Sequence, residues 1–162
     1  MGKRYRLKTK KAKEIIQKAA LSLGNIDLKS FINGIEAAKF TPQDQIFFLG
    51  KKPIFIGING EIVPSLMNVE VIKKLPEIRV DMGAVPNLCN GADLMAPGIV
   101  KITGDFQIGA LIVVVDEKHS KAIALVKTLY SSKNLVEKKT GKAAKNIHYV
   151  GDRFWKYTNE KN

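Results

Sequence analysis

The chain has 162 residues, 45% of them hydrophobic and 26% charged, which is the composition of a globular protein with one domain or two small ones. Its formal net charge of +12 favours polyanionic partners, although many basic proteins bind no nucleic acid. A single cysteine, Cys89, excludes an intramolecular disulfide, and neither His119 nor His148 has metal-ligand spacing. No apolar run approaches the roughly 18 residues of a membrane span. We therefore predict a cytoplasmic protein without a metal or a cofactor.

The chain opens with a basic segment that contains seven basic side chains and no acidic one: Lys3, Arg4, Arg6, Lys8, Lys10, Lys11 and Lys13. Apolar residues then recur at helical spacing from Ala12 to Leu23, and Gly24 stands where a left-handed C-cap belongs. Lysines in a first helical turn oppose the helix macrodipole, so they do not serve the helix itself. We interpret the basic segment as an accessory phosphate-contacting surface. The alternative is a solvated, poorly ordered tail.

The middle of the first half has the pattern of strands. Residues 46–49, 54–58 and 61–63 are apolar and β-prone, and Asn59-Gly60 favours a type I′ turn between the last two. We therefore predict a three-stranded meander packed against helices.

A domain boundary is predicted after this meander. Pro64 is suited to the first turn of a helix over Ser65–Leu75, and Pro76 ends that helix because proline disfavours helix in the residue before it. The predicted domains are residues 1–76 and 77–162.

The second half is predicted to contain mostly short strands. Apolar segments separated by turn residues place strands at 78–81, 92–96, 99–102, 110–115 and 123–129. A short helix is predicted at 84–90 and a helical turn at 131–137. Residues 146–150 and 153–157 are predicted to form a closing hairpin across Gly151-Asp152. Many short strands of this kind suggest a barrel or a sandwich.

Three sequence blocks of the second half occur together in a known module. They are Asp81-Met-Gly-Ala84, the stretch from Gly91 to Ile99, and Asn146-Ile-His-Tyr149. In this order they resemble a PUA domain, a small β-barrel-like RNA-binding module, and the closing segment resembles the malignant T-cell-amplified sequence family and its archaeal relatives. The first half resembles the smaller domain that precedes PUA in these proteins. The resemblance implies an α+β fold, with an N-terminal small α/β pre-PUA domain followed by a C-terminal PUA pseudo-barrel of mixed β-strands with short helices.

The resemblance also implies an RNA-binding surface. In PUA domains RNA lies against the first short helix, the glycine-containing strand after it and the final strand. The matching residues here are Gly83, Ala84, Asn87, Gly91, Ala92, Asp93, Ala96, Pro97 and Gly98, with Lys101, Arg153 and Lys156 as charged contacts. Glycines permit a close approach of the RNA backbone, and a helix start offers N–H groups to a phosphate. Ordinary turn geometry is the alternative explanation for Gly91 and Gly98.

Other reactive residue types have structural explanations. Asp81 and Asp93 are expected to accept turn or cap hydrogen bonds, and Asp116 to lie in a solvated turn. His148 is expected to be a structural histidine. Core packing is expected for Tyr149 and Phe154, rather than base stacking, and for Cys89. No phosphate-binding loop or catalytic grouping is recognisable, so we predict that the protein is not an enzyme.

The family resemblance implies a role in translation. Stand-alone members act on ribosomes in tRNA handling, some together with a protein related to density-regulated protein. We therefore predict an RNA-binding translation factor for tRNA or ribosomal RNA, with the small ribosomal subunit and a density-regulated-protein-like chain as expected partners. An RNA-targeting subunit of a modification complex, whose catalytic chain is separate, is the alternative. A third possibility is a protein-interaction module whose basic charge is incidental.

Overall fold

A computed structural model of the protein describes residues 2–24 and 26–160 and divides the chain into two compact units, Met1–Lys74 and Leu75–Asn162. Each unit has its own β-sheet. The division falls two residues before the boundary predicted from Pro76. No helix among the described residues is long and apolar enough to cross a membrane.

The first unit is a five-stranded antiparallel sheet with two helices. Its strands lie side by side in chain order, β1 (Tyr5–Arg6), β2 (Ile35–Lys39), β3 (Gln45–Leu49), β4 (Lys52–Ile58) and β5 (Glu61–Pro64). Helix α1 (Thr9–Leu23) buries the apolar stripe that its sequence predicts, and helix α2 (Val69–Ile72) follows β5. Asn59 and Gly60 both have positive φ, 51° and 84°, so the predicted turn of the meander is confirmed.

The helix predicted over Ser65–Leu75 is wrong for its first half. Pro64 is the last residue of β5, and the Ser65 hydroxyl accepts the amide of Met67 at 3.1 Å. The side-chain amide of buried Asn68 donates to the carbonyl of Ile54 at 3.1 Å. These side-chain bonds to the backbone compete with helical hydrogen bonding, so α2 begins only after Asn68.

The second unit is a six-stranded mixed sheet with three short helices. Its strands are β6 (Glu77–Val80), β7 (Leu94–Met95), β8 (Ile99–Thr103), β9 (Leu111–Asp116), β10 (Ala122–Thr128) and β11 (Lys142–Tyr149), in the spatial order β7-β11-β10-β9-β6-β8. Among the described strands of this sheet, only β6 and β9 pair in parallel. Helices α3 (Val85–Leu88), α4 (Ser132–Glu137) and α5 (Arg153–Glu160) complete the unit, and a 3₁₀ turn, Ala96–Gly98, links β7 to β8.

The core of the second unit follows from apolar strands that are buried on both faces. All six residues of β9 are buried, as the continuous apolar run predicts. Ile78 and Val80 of β6 pack in the same cluster as Leu88 of α3 and Leu94 of β7. The short helix and the short strand that flank the predicted RNA site are therefore anchored by buried leucines.

The predicted closing hairpin is wrong at its second strand, because residues 153–160 form helix α5. The amide of Trp155 donates to Oδ1 of Asp152 at 2.9 Å, which is the hydrogen bond of a helix N-cap. Phe154, Tyr157 and Thr158 are buried at helical spacing. Asp152 therefore starts a helix where the sequence analysis predicted a two-residue hairpin turn.

Smaller corrections concern segment lengths and one carboxylate. Helix α3 spans four residues rather than seven, and β7 spans two rather than five because the 3₁₀ turn replaces its end. Asp116, predicted in a solvated turn, is buried and accepts the amides of His119 and Lys121. These hydrogen bonds lower the pKa of the Asp116 carboxyl, and the bond from the His119 amide has the largest effect.

Candidate nucleic-acid interface

A pocket of about 260 Å³ lies between the start of α3 and the turn that precedes β8. We call it the α3 pocket. Six residues of the predicted RNA-binding set line it: Gly83, Ala84, Asn87, Asp93, Pro97 and Gly98. Asp81, Leu88, Leu94 and Met95 complete the lining. Its volume is just below the roughly 300 Å³ at which small-molecule pockets begin, which suits one nucleobase or ribose better than a larger ligand.

Small residues give the α3 pocket its shape. The amide of Asp81 donates to the carbonyl of Gly98 at 3.0 Å, which brings the end of β6 to the start of β8. A Cβ on Gly98 would lie 3.1 Å from the Cβ of Ala84, so a larger residue there would displace the pocket wall. Gly83 is exposed, and a Cβ there would meet only Oδ1 of Asp81, at 3.4 Å. The two glycines therefore serve the pocket differently, Gly98 by close packing and Gly83 by leaving space.

The start of α3 does not offer the phosphate site that the sequence analysis predicted. The amide of Ala84 donates to Oδ1 of Asp81 at 2.9 Å, and Pro86 has no N–H. The Asp81 carboxylate therefore accepts the amide of Ala84, the residue before α3, as expected for a residue that caps a helix. It also brings a negative charge to the start of the helix. No basic side chain lines the α3 pocket, so its chemistry suits the polar edge of a base or a ribose hydroxyl rather than a phosphate.

Asp93 is fixed by groups from β11. Its Oδ2 lies 2.8 Å from Nζ of Lys142, and its Oδ1 accepts the amide of Asn146 at 2.8 Å. The pKa of the Asp93 carboxyl is lowered, mainly by the hydrogen bond from Lys142 and next by that from the Asn146 amide. The charge of Lys145 also contributes to the lowering. Asp93 thus accepts turn hydrogen bonds, as expected, and is held as an anion at the pocket rim.

The Asn146 side chain connects the separate segments around the pocket. Its Nδ2 donates to the carbonyls of Leu88, at 3.0 Å, and Ala92, at 2.9 Å. Together with its amide bond to Asp93, this residue ties the end of α3 and the approach to β7 to strand β11. The pocket geometry therefore depends on a residue that the sequence analysis used only as part of a family motif.

Lys142 and Lys145 are the basic residues that sequence reasoning missed. Lys142 lies at the pocket rim because β11 pairs with β7, with Lys142 opposite Met95 and Ala144 opposite Leu94, and Lys145 follows on the same strand, close enough for its charge to act on Asp93. Both lysines lie about fifty residues away from the pocket segment in the chain. The available signal in the sequence was the pattern Lys-Ala-Ala-Lys at the start of this strand, in which both lysines are exposed and both alanines are buried.

Three other predicted residues have structural roles outside the α3 pocket. Gly91 has φ of 90°, and a Cβ there would lie 3.1 Å from the hydroxyl of Tyr149, so turn geometry and close packing explain this glycine. The carbonyl of Ala92 accepts from Asn146. Ala96 is buried, and its amide donates to the carbonyl of Gly141 at 2.8 Å.

The three predicted charged contacts lie elsewhere in the second unit. Lys101 is on β8 and lines a second cavity beside α4 rather than the α3 pocket. Arg153 and Lys156 are on α5, not on a final strand, and neither lines the α3 pocket. The guanidinium carbon of Arg153 lies 4.9 Å from the ring centroid of Phe154.

The basic segment forms part of the fold of the first unit. Tyr5 and Arg6 pair with Ala37 and Glu36 of β2, and α1 begins at Thr9. Six of the seven basic residues are exposed or border solvent: Lys3, Arg6, Lys8, Lys10, Lys11 and Lys13. Lys11 pairs with Glu14 at 3.2 Å, but no acidic residue stands in the first turn of α1, so the lysines of that turn still oppose the helix macrodipole.

Arg4 differs from the rest of the basic segment. It bonds to the Glu36 carboxylate and the Gly50 carbonyl, and its guanidinium carbon lies 4.0 Å from the ring centroid of Phe48. The side chain is therefore held by the protein itself, and we remove Arg4 from the accessory surface.

His148 is structural, as expected. Its ring is buried, and Nδ1 lies 2.5 Å from Oδ2 of Asp152. Burial acts to raise the pKa of the Asp152 carboxyl, but the hydrogen bond with His148 and the amides of Trp155 and Tyr149 outweigh it, so that pKa is lowered. Phe154 is buried and Tyr149 is half-buried against the core. Cys89 is also half-buried, and burial raises the pKa of its thiol.

Comparisons with known proteins agree with the two-unit architecture. Residues 76–150 match the model of the PUA domain, and residues 3–74 match a domain of unknown function, DUF1947. A protein of Methanocaldococcus jannaschii, described as uncharacterised, is 35% identical over 158 residues, which cover 96% of each chain. Translation machinery-associated protein 20 of Schizosaccharomyces pombe is 32% identical over 125 residues, covering 70% of this chain and 67% of the relative.

The solved structures include one of similar length. The crystal structure of a hypothetical protein from Pyrococcus horikoshii has a TM-score of 0.79 and 33% sequence identity, and the match covers 96% of this chain and 99% of that one. Fold and pocket thus define a PUA-domain protein with a DUF1947 domain in front. The chain belongs to the family that includes the M. jannaschii protein and translation machinery-associated protein 20, and it is an archaeal-type relative of the malignant T-cell-amplified sequence family.

Proposed function

We propose that this protein is a non-enzymatic RNA-binding factor of the translation machinery, which receives an unpaired end of a tRNA or ribosomal RNA in the α3 pocket. The observation that carries the proposal is the lining of that pocket. Six residues that the family resemblance assigns to RNA binding converge there on a cavity of about 260 Å³. The volume and the lack of basic lining residues favour a nucleoside over a phosphate.

Phosphate binding is assigned to lysines outside the pocket. Lys142 and Lys145 stand at its rim, where they face the backbone of a strand whose terminal base enters the cavity. The exposed basic segment of the first unit adds a second, shape-independent surface for RNA. Affinity is then a sum of a salt-sensitive part from the lysines and a salt-insensitive part from the pocket.

A role in translation is supported by the relative that is named translation machinery-associated protein 20. The small ribosomal subunit and a density-regulated-protein-like chain are the partners that the family resemblance suggests. Catalysis is not proposed. Asp81, Asp93 and Asp152 each accept a backbone amide, and the last two also pair with Lys142 and His148. Among the described residues no three His, Cys, Asp or Glu side chains form a potential metal site.

The proposal is tested by binding to tRNA with and without its single-stranded 3′ end across a salt series. We expect that trimming the end weakens binding by about tenfold at high salt, which is about 1.4 kcal/mol, and by more at low salt, where the phosphate contacts of the rim lysines are lost as well. Equal affinity for both RNAs would contradict the placement of an end in the pocket.

A matched pair of asparagines controls for changes outside the pocket. Asn87→Ala removes a pocket-lining amide, whereas Asn90→Ala removes an exposed amide two residues after α3 that does not line the pocket. Only the first substitution should reduce the preference for intact tRNA. Co-purification with an RNA-modifying enzyme instead of ribosomal subunits would support the alternative of a targeting subunit.

A further inference from the structure

The second unit has a groove along strand β8 that adjoins the α3 pocket at Pro97 and otherwise has different lining residues. A cavity of about 470 Å³ lies between β8 and helix α4, and a neighbouring cavity of about 570 Å³ shares Ile102 and Val136 with it. Together they extend from the 3₁₀ turn before β8 to Gly104 after it. We call this the β8–α4 groove.

Strand β8 brings main-chain hydrogen-bonding groups to the groove. It is the last strand of its sheet and pairs only with β6 among the described strands. Lys101 lies opposite Arg79 and Ile99 opposite Val80, so Val100 is an extra, bulged residue. From Lys101 to Thr103 the pairing with β6 is regular, and the outer edge of this stretch presents the N–H and C=O groups to which another strand can add.

Apolar side chains of the groove are exposed on both of its walls. Val100 on β8 is 53% exposed and Val136 on α4 is 62% exposed. A single exposed valine is ordinary, but these two line the same cavity, whose floor includes the buried side chain of Leu135. The groove therefore offers contacts for aliphatic side chains of a ligand.

The charge of the groove is positive. The cavity of about 470 Å³ beside α4 is lined by Lys101, Lys138 and Lys139, and none of its described lining residues is a carboxylate. The extension adds Lys133 and a single acid, Asp105. Nζ of Lys138 lies 4.6 Å from the ring centroid of Tyr130, which fixes the position of one of these charges. An acidic ligand complements this lining.

We propose that the β8–α4 groove docks an extended acidic segment of a partner protein by β-strand addition. Side chains of a strand alternate between two faces, so one segment can place aliphatic residues against Val100 and Val136 and carboxylates against the lysines. RNA is the less suitable occupant, because the free edge of β8 and the two exposed valines match an extended peptide, which pairs through its own N–H and C=O groups and buries aliphatic side chains.

Protection of the sheet edge does not account for the whole groove. An edge lysine and a bulge are common means of preventing unwanted strand pairing, and they explain Lys101 and Val100 by themselves. They do not explain why α4 places an exposed valine across the groove, or why two further lysines, Lys138 and Lys139, follow the helix there. In our proposal these residues select an acidic, aliphatic strand from other extended segments.

The experiment uses the full chain and a fluorescein-labelled peptide in which valine alternates with glutamate. We expect saturable binding, measured by anisotropy, and slower hydrogen exchange of the amides of residues 99–103 in the complex. A peptide in which valine alternates with lysine should bind at least about tenfold more weakly. The absence of binding by the acidic peptide up to millimolar concentration would overturn the proposal.

Charge-reversed variants locate the site. Lys101→Glu combined with Lys138→Glu should weaken binding of the acidic peptide by at least about tenfold. Lys118→Glu combined with Lys121→Glu, which changes the same charge in the exposed β9–β10 turn, should leave binding unchanged. Equal losses in both variants would overturn the proposal. So would displacement of the peptide by a single-stranded oligoribonucleotide through Lys101 and Lys138, which would assign the groove to RNA.

Discussion

We propose that the α3 pocket and the basic segment bind RNA in two different ways. The pocket has a defined shape, because its carboxylates and glycines are fixed by hydrogen bonds and close packing. None of its described lining residues is basic. The basic segment has charge but no cavity, because its lysines project from a strand and the first turn of a helix. The charge of the sequence thus indicated the less specific of the two proposed surfaces, and the order of its motifs indicated the shaped one. Selectivity for an RNA end is expected only from the pocket.

Filling the pocket should have the largest effect on selectivity. Gly83→Leu places a side chain into the cavity without backbone strain, since Gly83 does not have positive φ and has room for a Cβ. We expect the preference for intact over trimmed tRNA to fall by about tenfold, with the salt slope unchanged. Binding of both RNAs by titration checks this. A variant that keeps the full preference would remove the pocket from the account.

Removing charge from α1 should have the opposite pattern. Lys8, Lys10, Lys11 and Lys13 changed together to alanine should reduce the slope of log affinity against log salt by up to about 0.9 for each lost phosphate contact. The stability of the helix should change little, because alanine favours helix and removes unfavourable charge near the N-terminus, which offsets the loss of the exposed Lys11–Glu14 pair, about 0.3–0.5 kcal/mol. Alanine at Lys51, Lys52, Lys73 and Lys74 of the same unit provides the control. Equal slopes in both variants would show that the basic segment is only solvated.

Asp152 tests whether the junction between β11 and α5 depends on a buried anion. Asp152→Asn should lower the free energy of unfolding by about 1.5–3 kcal/mol near neutral pH, because hydrogen bonds to a charged group are lost. The pKa of this carboxyl is lowered in the folded state, so its contribution is present above the unfolded value of about 3.9 and is lost as pH falls below it. The difference from the wild type should therefore shrink under acid conditions. Asp105→Asn, at an exposed position, should show no such difference.

Asn146 tests the link between strand β11 and the pocket. Asn146→Ala removes the two bonds to the carbonyls of Leu88 and Ala92 and should cost about 1–2 kcal/mol of stability. Selectivity for intact tRNA should fall while the salt slope stays constant, because the lysines of α1 need no such support. An altered slope with unchanged selectivity would reverse the assignment of the two surfaces. Asn134→Ala in α4 is the matched control.

The smallest effect is expected from the pocket rim. Lys142→Ala removes one charge that is shared with Asp93, so a reduction of the salt slope by less than about 0.9 is expected. Lys118→Ala should have no effect on either the slope or the preference for intact tRNA.

Much of the fold could be predicted because local patterns decide it. The apolar stripe of α1 and the continuous apolar run of β9 specify their elements without tertiary information. Helix α5 was not predicted because Gly151-Asp152 also fits a hairpin turn. The helix forms because the Asp152 carboxylate accepts the amide of Trp155 and so caps the N-terminus of α5. Sequence pattern alone did not separate these two uses of the same dipeptide.

The site was predicted in part for a related reason. The glycines and Asp93 lie within one continuous motif, so the resemblance identified them together. Lys142 and Lys145 join them only through the pairing of β11 with β7, a contact between distant parts of the chain that periodicity cannot reveal. Arg153 and Lys156 were predicted on a strand but lie on helix α5, outside the α3 pocket, and their RNA contacts stay a prediction.

The most direct test of the central claim is to find where the RNA end lies. A tRNA with a photoreactive base at its 3′ terminus is crosslinked to the wild-type protein, and the adducts are mapped by mass spectrometry. Our account predicts adducts within residues 83–98, which contain the walls of the α3 pocket. Adducts confined to the basic segment and α1 would contradict it and would leave the protein with a charged RNA surface but no site for an RNA end.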